Sequence, residues 1–374
     1  MVALLGFTMQ GAEFVFGKLA MNSGEGSLGF IFAFQTLPTI IFVACLTSIL
    51  YYLGILQTVV RGMAWVMARI LGSSGAESLS NTANIFVGQT EAPLLIKPYI
   101  DKMTRSELLT IMTGGMATVA GGVMASYIMM LGQSWANLKG VPLAEGQIQF
   151  AVQLLAASCM AAPASIVIAK ILCPETGTPE TKGTVRLKVE KNANNIVEAA
   201  STGAGEGLQL AINVGGMLIA FIALIALINY ILVAIGGIGG INTYMVAHYG
   251  QPLTLQLLFG LVLRYLAIGI GVPLQDALHF GSLIGTKVVL NEFVAYVDLA
   301  NLVKTGALTA KGTMMATYAL CGFANFSSIA IQIGGIGPLA PHRRKDIAAL
   351  GMKAVLGGTL ATLMTATVAG FLVR

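Results

Sequence analysis

The 374-residue chain is poor in charge: 21 Lys or Arg and 16 Asp or Glu amount to 10% of it, against 56% hydrophobic residues. A soluble domain ordinarily carries about 25% charged residues, so the composition excludes an ordinary water-exposed fold. Cysteine is scarce too. Cys45, Cys159, Cys173 and Cys321 stand far apart with neither paired nor metal-type spacing, which argues against a disulfide framework and a zinc site alike. The three histidines, His248, His279 and His342, form no metal-type pair. No Lys/Arg cluster is interleaved with aromatics, so the net charge of +5 does not point to nucleic acid. The first twenty residues lack the basic n-region and small-residue cleavage site of a signal peptide. They read as an apolar stretch entered part-way.

What the chain does contain is long runs free of Asp, Glu, Lys and Arg: residues 26–60, 108–138, 146–169, 207–263 and 312–341. Each exceeds the roughly 20 apolar residues that a membrane-crossing helix needs. The pattern predicts an all-α polytopic protein of the cell's inner (plasma) membrane, with spans at 28–56 (interrupted by Pro38), 108–131, 148–172, 208–235, 253–272, 283–303 and 347–373. Residues 58–71 place Arg61, Arg69 and Trp65 among apolar neighbours, as in a helix lying in the interface. Residues 174–195, with Lys182, Arg186, Lys188 and Lys191, read as a loop outside the bilayer. GGIGG at 236–240 lacks a following Lys-Ser/Thr and reads as a membrane-edge turn.

Two segments fit neither span nor loop. Residues 77–97 carry Asn81, Asn84, Gln89, Thr90 and Glu91, with Gly88 and Pro93 in the middle. Residues 313–341 carry Asn325, Ser327, Ser328 and Gln332 at mid-length. Non-helical backbone at membrane depth is tolerated only where it is buried in protein or lines a cavity, so both are predicted to be re-entrant helical hairpins. A weak repeat supports the pairing: 30 residues separate Asn84 from the Gly pair at Gly114, and 32 separate Asn325 from that at Gly357. Five predicted crossings between the hairpins, an odd number, place them on opposite faces, the inverted topology of secondary transporters. Ten Lys/Arg then fall on the side of Arg61 and residues 97–105 and 170–191, and six on the other. The excess marks the first side as cytoplasmic.

Ionisable residues inside a membrane cost roughly 2.5 to 3.5 kcal/mol on insertion scales and usually mark a site. Glu91, Glu292 and Lys287 are the candidates, and Lys287 with Glu292 could equally form a structural ion pair. Gln89, Thr90 and Glu91 offer an amide, a hydroxyl and a carboxylate to a polar solute, or else cap one another where the hairpin turns. Asn325 and Ser328, three apart, share a face if the segment is helical there.

GQTEAP (residues 88–93), GTKVVLNEFVAY (285–296) and CGFANFSSI (321–329), in that order, closely resemble the concentrative nucleoside transporter family. The likeness extends through residues 207–229 and covers the chain from about Glu77 onward. It implies a homotrimer whose protomers each pair a scaffold with a mobile transport domain, importing nucleosides by an elevator-like movement. Residues 1–76 would lie on the scaffold side and 77–131 would hold the first hairpin and its following helix. Residues 132–280 would be mainly scaffold, and 281–373 the unwound helix, second hairpin and last helix. Carried over position by position, Gln89, Thr90, Glu91 and the apolar Val123 would meet the nucleobase. Glu292, Asn325 and Ser328 would hold the ribose, and Phe323 would pack on a uridine-like nucleoside. Sodium would be held by the Asn84 side chain, the Val87 and Val119 carbonyls and the Thr118 hydroxyl, all hard oxygen donors. Thr118 stands where the family pattern leads one to expect Ser, and keeps the hydroxyl. Coupling to protons through Glu91 or Glu292, an intramembrane enzyme using those two carboxylates as acid and base, and a channel are the alternatives.

Overall fold

A computed structural model describes residues 2–21, 28–183 and 193–373, a chain of helices joined by short turns. Arg186, Lys188 and Lys191 of the predicted loop lie outside the described residues. Five helical stretches are long and apolar enough to cross a bilayer: Phe32–Tyr52, Arg105–Lys139, Leu143–Leu172, Ile196–Tyr249 and Pro341–Leu372. The first of these is interrupted as expected: a short helix, Phe32–Gln35, stops at Thr36, and a second starts at Leu37 with Pro38 in its first turn, where its missing N–H has no partner to lose.

After α1 (Val2–Phe16) and α2 (Leu37–Tyr52), the architecture is two copies of one four-part unit. The first copy begins with the amphipathic α3 (Ile55–Leu71). A hairpin follows, α4 (Gly75–Ala83) turning at 84–91 and returning through Ala92–Ile96. Next comes a helix broken at 118–120, α5 (Arg105–Ala117) and α6 (Gly121–Lys139), and then the unbroken α7 (Leu143–Leu172). The long α8 (Ile196–Gly237) and short α9 (Ile241–Tyr249) lead to the second copy. It consists of α10 (Leu255–Gly269), a hairpin of α11 (Ala277–Val289) and α12 (Glu292–Thr305), a broken helix of α13 (Ala310–Leu320) and α14 (Phe326–Ile336), and α15 (Arg344–Leu372).

The second hairpin is therefore not residues 313–341 but 277–305. Its two legs lie side by side, since Leu278, His279 and Ser282 line one cavity with Asp298, Asn301 and Thr305. Its base is pinned where Asp276 accepts hydrogen bonds from the N–H of Thr309, at 3.1 Å, and from the Thr309 hydroxyl. Residues 313–341 instead run antiparallel along the whole of α15: Met315 lies beside Gly370, Ala324 beside Gly358 and Ile329 beside Gly351. The polar residues there restart a helix rather than reverse the chain. Asn325, extended at φ −143° and ψ 166°, is the N-cap of α14, a position that favours Asn for its side-chain acceptor.

The internal repeat consequently shifts register by one element. The tip at Leu290–Asn291 answers the turn at 84–91, and the break at 321–325 answers that at 118–120, a break the apolar run 108–131 gave no sign of. The two Gly-Gly pairs are neighbours rather than equivalents, for Gly357 lies against Thr113 and Gly358 against Met116. Residues 255–269, about 22 Å of helix, are too short to cross and lie against α11, where Gly281 meets the Arg264 backbone. Three crossings remain between the hairpins instead of five. That number is again odd, so the opposite-face relation survives the recount.

Two junctions hold the pieces together. At one end, the capping boxes Ser74/Glu77 and Thr104/Glu107 start α4 and α5. The Ser74 hydroxyl donates to Glu107 at 2.7 Å, while Lys170 of α7 pairs with Glu77 and, at 3.2 Å, with Glu175. At mid-depth the two broken helices cross at their breaks. Gly322 has φ +95°, and an added Cβ would stand 2.5 Å from the Ala117 carbonyl carbon, so a side chain is excluded by conformation and by space. The α8 helix sits apart from this body: its buried stripe of Ala199, Gly203, Gly207, Ala211 and Val214 lies on α2, and its other faces expose Ile212, Ile219, Leu227 and Tyr230. Small residues at such a seam let two membrane helices approach closely.

Replacing Gly322 with Ala is expected to cost about 2 to 4 kcal/mol of strain and overpacking, lowering the melting temperature of the purified protein. Gly62→Ala, on the exposed face of α3 with open space around it, is expected to be neutral or slightly stabilising.

Candidate functional site

The hairpin tips and the helix breaks meet at one place. The first tip is clipped to the first break by the Gly121 N–H, which donates to the Phe86 carbonyl at 3.2 Å. It reaches the second break through Gln89, whose amide donates to the Ser328 hydroxyl at 3.3 Å. The second tip carries Glu292 in the first turn of α12, restarted by Asn291, whose side chain accepts from the Val294 N–H at 2.9 Å. Glu292 Oε2 accepts from Asn325 Nδ2 at 2.8 Å and Oε1 from the Tyr127 hydroxyl at 3.3 Å. Asn325 thus works twice, since its Oδ1 accepts from the Ser328 N–H at 2.9 Å and the Ser327 hydroxyl at 2.7 Å.

Glu292, though buried, is not an isolated charge. It lies at a helix N-terminus, where the backbone dipole favours an anion, and each carboxylate oxygen keeps a lone pair beyond the bond it already accepts. Aromatic packing fixes its surroundings. Tyr127 stacks on Tyr296 with ring centroids 3.9 Å apart, Phe293 stands edge-on to Tyr127 at 5.1 Å, and the Tyr296 hydroxyl donates to the Thr317 carbonyl at 2.9 Å. Val123, one turn before Tyr127 on α6, is buried, and Phe323 is half-buried in the second break.

Of the sequence-predicted residues, Gln89, Glu292, Asn325 and Ser328 are joined into one hydrogen-bonded set. Thr90 packs against Gly335 of α14. Glu91 is exposed and its carboxylate accepts from the Gly88 N–H of its own turn, so it does cap the hairpin. No hydrogen bond joins it to Glu292, and the geometry provides no acid–base pair. The ion pair weighed for Lys287 and Glu292 is also not formed. Lys287, fully buried on the first leg of hairpin two, donates to the carbonyls of Ala319 at 2.9 Å and Cys321 at 3.1 Å, and to the Thr362 hydroxyl at 3.1 Å. Its ammonium satisfies the acceptors that α13 leaves open where it ends.

The predicted cation ligands cluster between the first tip and the first break. Thr118, buried and extended at φ −111° and ψ 164°, ends α5, and its hydroxyl donates to the Gly114 carbonyl at 2.8 Å. Val119 follows it, fully buried, and Val87 lies half-buried in the opposing turn. The Asn84 side chain is 1% exposed, yet neither its oxygen nor its nitrogen has a hydrogen-bond partner. A buried amide left so costs about 1 to 3 kcal/mol, which a bound hard cation would offset at Oδ1. The donor set, one side-chain amide oxygen, one hydroxyl and two carbonyls, fits an alkali cation.

Sequence reasoning overlooked Tyr127 and the role of Gln332, which is fully buried and donates to Gln89 and to the Met112 carbonyl. Each stands four residues beyond a residue already singled out, Val123 and Ser328, and so on the same helical face. That spacing was the available signal.

Hairpins paired with broken helices around a mid-depth polar site, among helices fit to cross a bilayer, define a multi-pass membrane transporter. Residues 153–370 match the family described as Na+ dependent nucleoside transporter C-terminus, and residues 33–134 match a nucleoside recognition gate. An uncharacterized transporter of Haemophilus influenzae is 48% identical over 99% of this chain and 83% of its own length. The nucleoside permease NupC of Helicobacter pylori is 42% identical, with 99% and 83% covered. A structure of CNTnw in an inward-facing substrate-bound state superimposes with a TM-score of 0.83 at 43% identity, covering 98% of this chain and 82% of that one. A doubly substituted CNTnw in an outward-facing state gives 0.85 at 42% identity, with 98% and 83% covered. The chain belongs to the Na+ dependent nucleoside transporter family, the concentrative nucleoside transporters, and is a bacterial-type member.

Lys287→Met is expected to leave the Ala319 and Cys321 carbonyls buried without a donor. Thermal unfolding in detergent should report a loss of about 2 to 4 kcal/mol, in contrast to Lys304→Met on an exposed helix end, which should change little.

Proposed function

We propose that this chain is a symporter that imports nucleosides across the cytoplasmic membrane, driven by a sodium gradient through elevator-type alternating access. The observation that carries the reading is Glu292. A buried carboxylate held by Asn325 and Tyr127, with acceptor capacity to spare, suits the two adjacent hydroxyl donors of a ribose cis-diol. Asn325 and Ser328 complete that end of the site. Gln89, Thr90 and Glu91 of the first tip face the nucleobase end, with Val123 and Phe323 as its apolar contacts. Sodium takes the Asn84, Val87, Thr118 and Val119 oxygens, and the unpartnered Asn84 amide supports this assignment.

Coupling follows from placement. The cation ligands and the base-facing residues share the turn at 84–91, so ordering that turn for one ligand prepares it for the other. Under this reading the hairpins and broken helices of residues 77–131 and 281–373 carry the site as the moving part, and residues 1–76 and 132–280, α2 and α8 among them, are mainly the stationary part. The exposed apolar face of α8 fits a homotrimer seam as well as lipid. The inward- and outward-facing structures of CNTnw, a 42–43% identical protein, support alternating access over a channel.

Radiolabelled uridine uptake into proteoliposomes with imposed ion gradients tests the whole. Glu292→Gln should lower uptake by about 100-fold or more, two charge-assisted hydrogen bonds being weakened, while the protein remains folded. Replacing external sodium with choline at constant pH should stop uptake. Persistence with sensitivity to a protonophore would move the coupling to protons, and absence of saturable counterflow would favour a channel. Asn84→Leu should raise the sodium concentration needed for half-maximal uptake without abolishing nucleoside binding.

A further inference from the structure

Gln332 belongs to no role assigned so far, yet it is fully buried in the helix that carries Ser328 and touches the first hairpin tip. Its Nε2 lies 2.8 Å from the Met112 carbonyl and 3.0 Å from Gln89 Oε1. A backbone carbonyl can only accept, so the atom beside Met112 must be the amide nitrogen. That same nitrogen faces Gln89, so Gln89 must turn its oxygen toward it. The Gln89 nitrogen is then left on the other side, where it meets the Ser328 hydroxyl at 3.3 Å. One fixed backbone acceptor thereby sets the direction of two successive side-chain amides.

Two further facts show that this orientation is built rather than incidental. Gln332 Oε1 is buried without a partner, an unfavourable state that reversing the amide would relieve only by setting oxygen against oxygen at Met112. The contact also requires Gly115, where an added Cβ would stand 2.9 Å from Gln89 Cβ and 3.1 Å from Gln332 Nε2.

We propose that Gln332 is a positioning residue for base selectivity: by engaging the Gln89 oxygen and setting the Gln89 nitrogen on the Ser328 side, it leaves that amide only its second N–H for a ligand, so that the site prefers one donor/acceptor pattern on the base edge. The inference rests on the nucleoside reading above. Uridine and cytidine separate the possibilities, because one presents a ring N–H beside a carbonyl where the other presents a bare ring nitrogen beside an amino group. A site with a directed amide distinguishes them. A site whose amide is free to turn accommodates both.

The experiment is competitive uptake of uridine, cytidine and 2′-deoxyuridine into proteoliposomes by the wild type, Gln332→Met and Gly115→Ala. Gln332→Met keeps the length of the side chain but cannot donate, and Gly115→Ala disturbs the same contact from the opposite wall. The wild type should discriminate between uridine and cytidine, and each variant should move that ratio toward one by about tenfold, the worth of one hydrogen bond. The ratio of uridine to 2′-deoxyuridine, read at the Glu292 end, should stay unchanged. A wild-type ratio near one, or variants that slow all three nucleosides in proportion, would overturn the proposal. Should Gln332→Met fail to fold, Gly115→Ala alone decides. Failure of the wild type to take up any nucleoside would instead remove the functional reading on which the proposal stands.

Discussion

Everything in this structure depends on how backbone groups are satisfied where helices stop in the middle of a membrane. No water is available in the hydrocarbon to accept or donate, so each interruption must find partners within the protein. The chain has two tips and two breaks at this depth, and each has its own solution. Asn291 and Asn325 cap the helices that restart, Lys287 supplies donors to a helix that ends, and the Gly121 N–H joins the first break to the first tip. The proposed ligand site is the space around which these solutions are arranged. Its polar lining was needed to allow the interruptions at all.

The same constraint explains why opposite charges sit close in the fold without pairing. Lys287 lies just before the second tip and Glu292 just after it, but the backbone reverses between them. The cation faces the C-terminal carbonyls of α13, while the carboxylate occupies the N-terminus of α12. Each meets the end of a helix dipole of opposite sign. A direct ion pair would have neutralised both and left the carbonyls unmet. Kept apart, Lys287 serves the backbone and Glu292 keeps lone pairs for a ligand.

How much of this was legible in the sequence depended on which physical signal each feature leaves. The apolar runs were plain, because a bilayer demands length and hydrophobicity over twenty residues. Gln89, Glu292, Asn325 and Ser328 stood out as polar groups in apolar surroundings, and the structure joins them. Assigning the second hairpin failed for the reason that made those residues visible. A cluster of polar side chains marks an interruption, but it does not say whether the chain reverses or resumes its direction. That depends on which neighbour the following helix packs against, here Ile329 beside Gly351 of α15 rather than a return along α13. The break at 118–120 left almost no mark, since Thr118, Val119 and Ala120 are ordinary residues and the opening is held by contacts with Phe86 and Gly322. The fate of Lys287 was invisible for a similar reason, its partners being two carbonyls and a hydroxyl more than thirty residues away.

The cross-linking of the repeats has one more implication. The first copy's Gln89 reaches Ser328 of the second, and its Tyr127 reaches the second copy's Glu292, while Gly322 of the second is seated on Ala117 of the first. Neither half encloses a site by itself. A solute bound at the junction touches both copies, so its binding free energy is also cohesion between them. The association of the halves and the occupancy of the site are then two measures of one equilibrium.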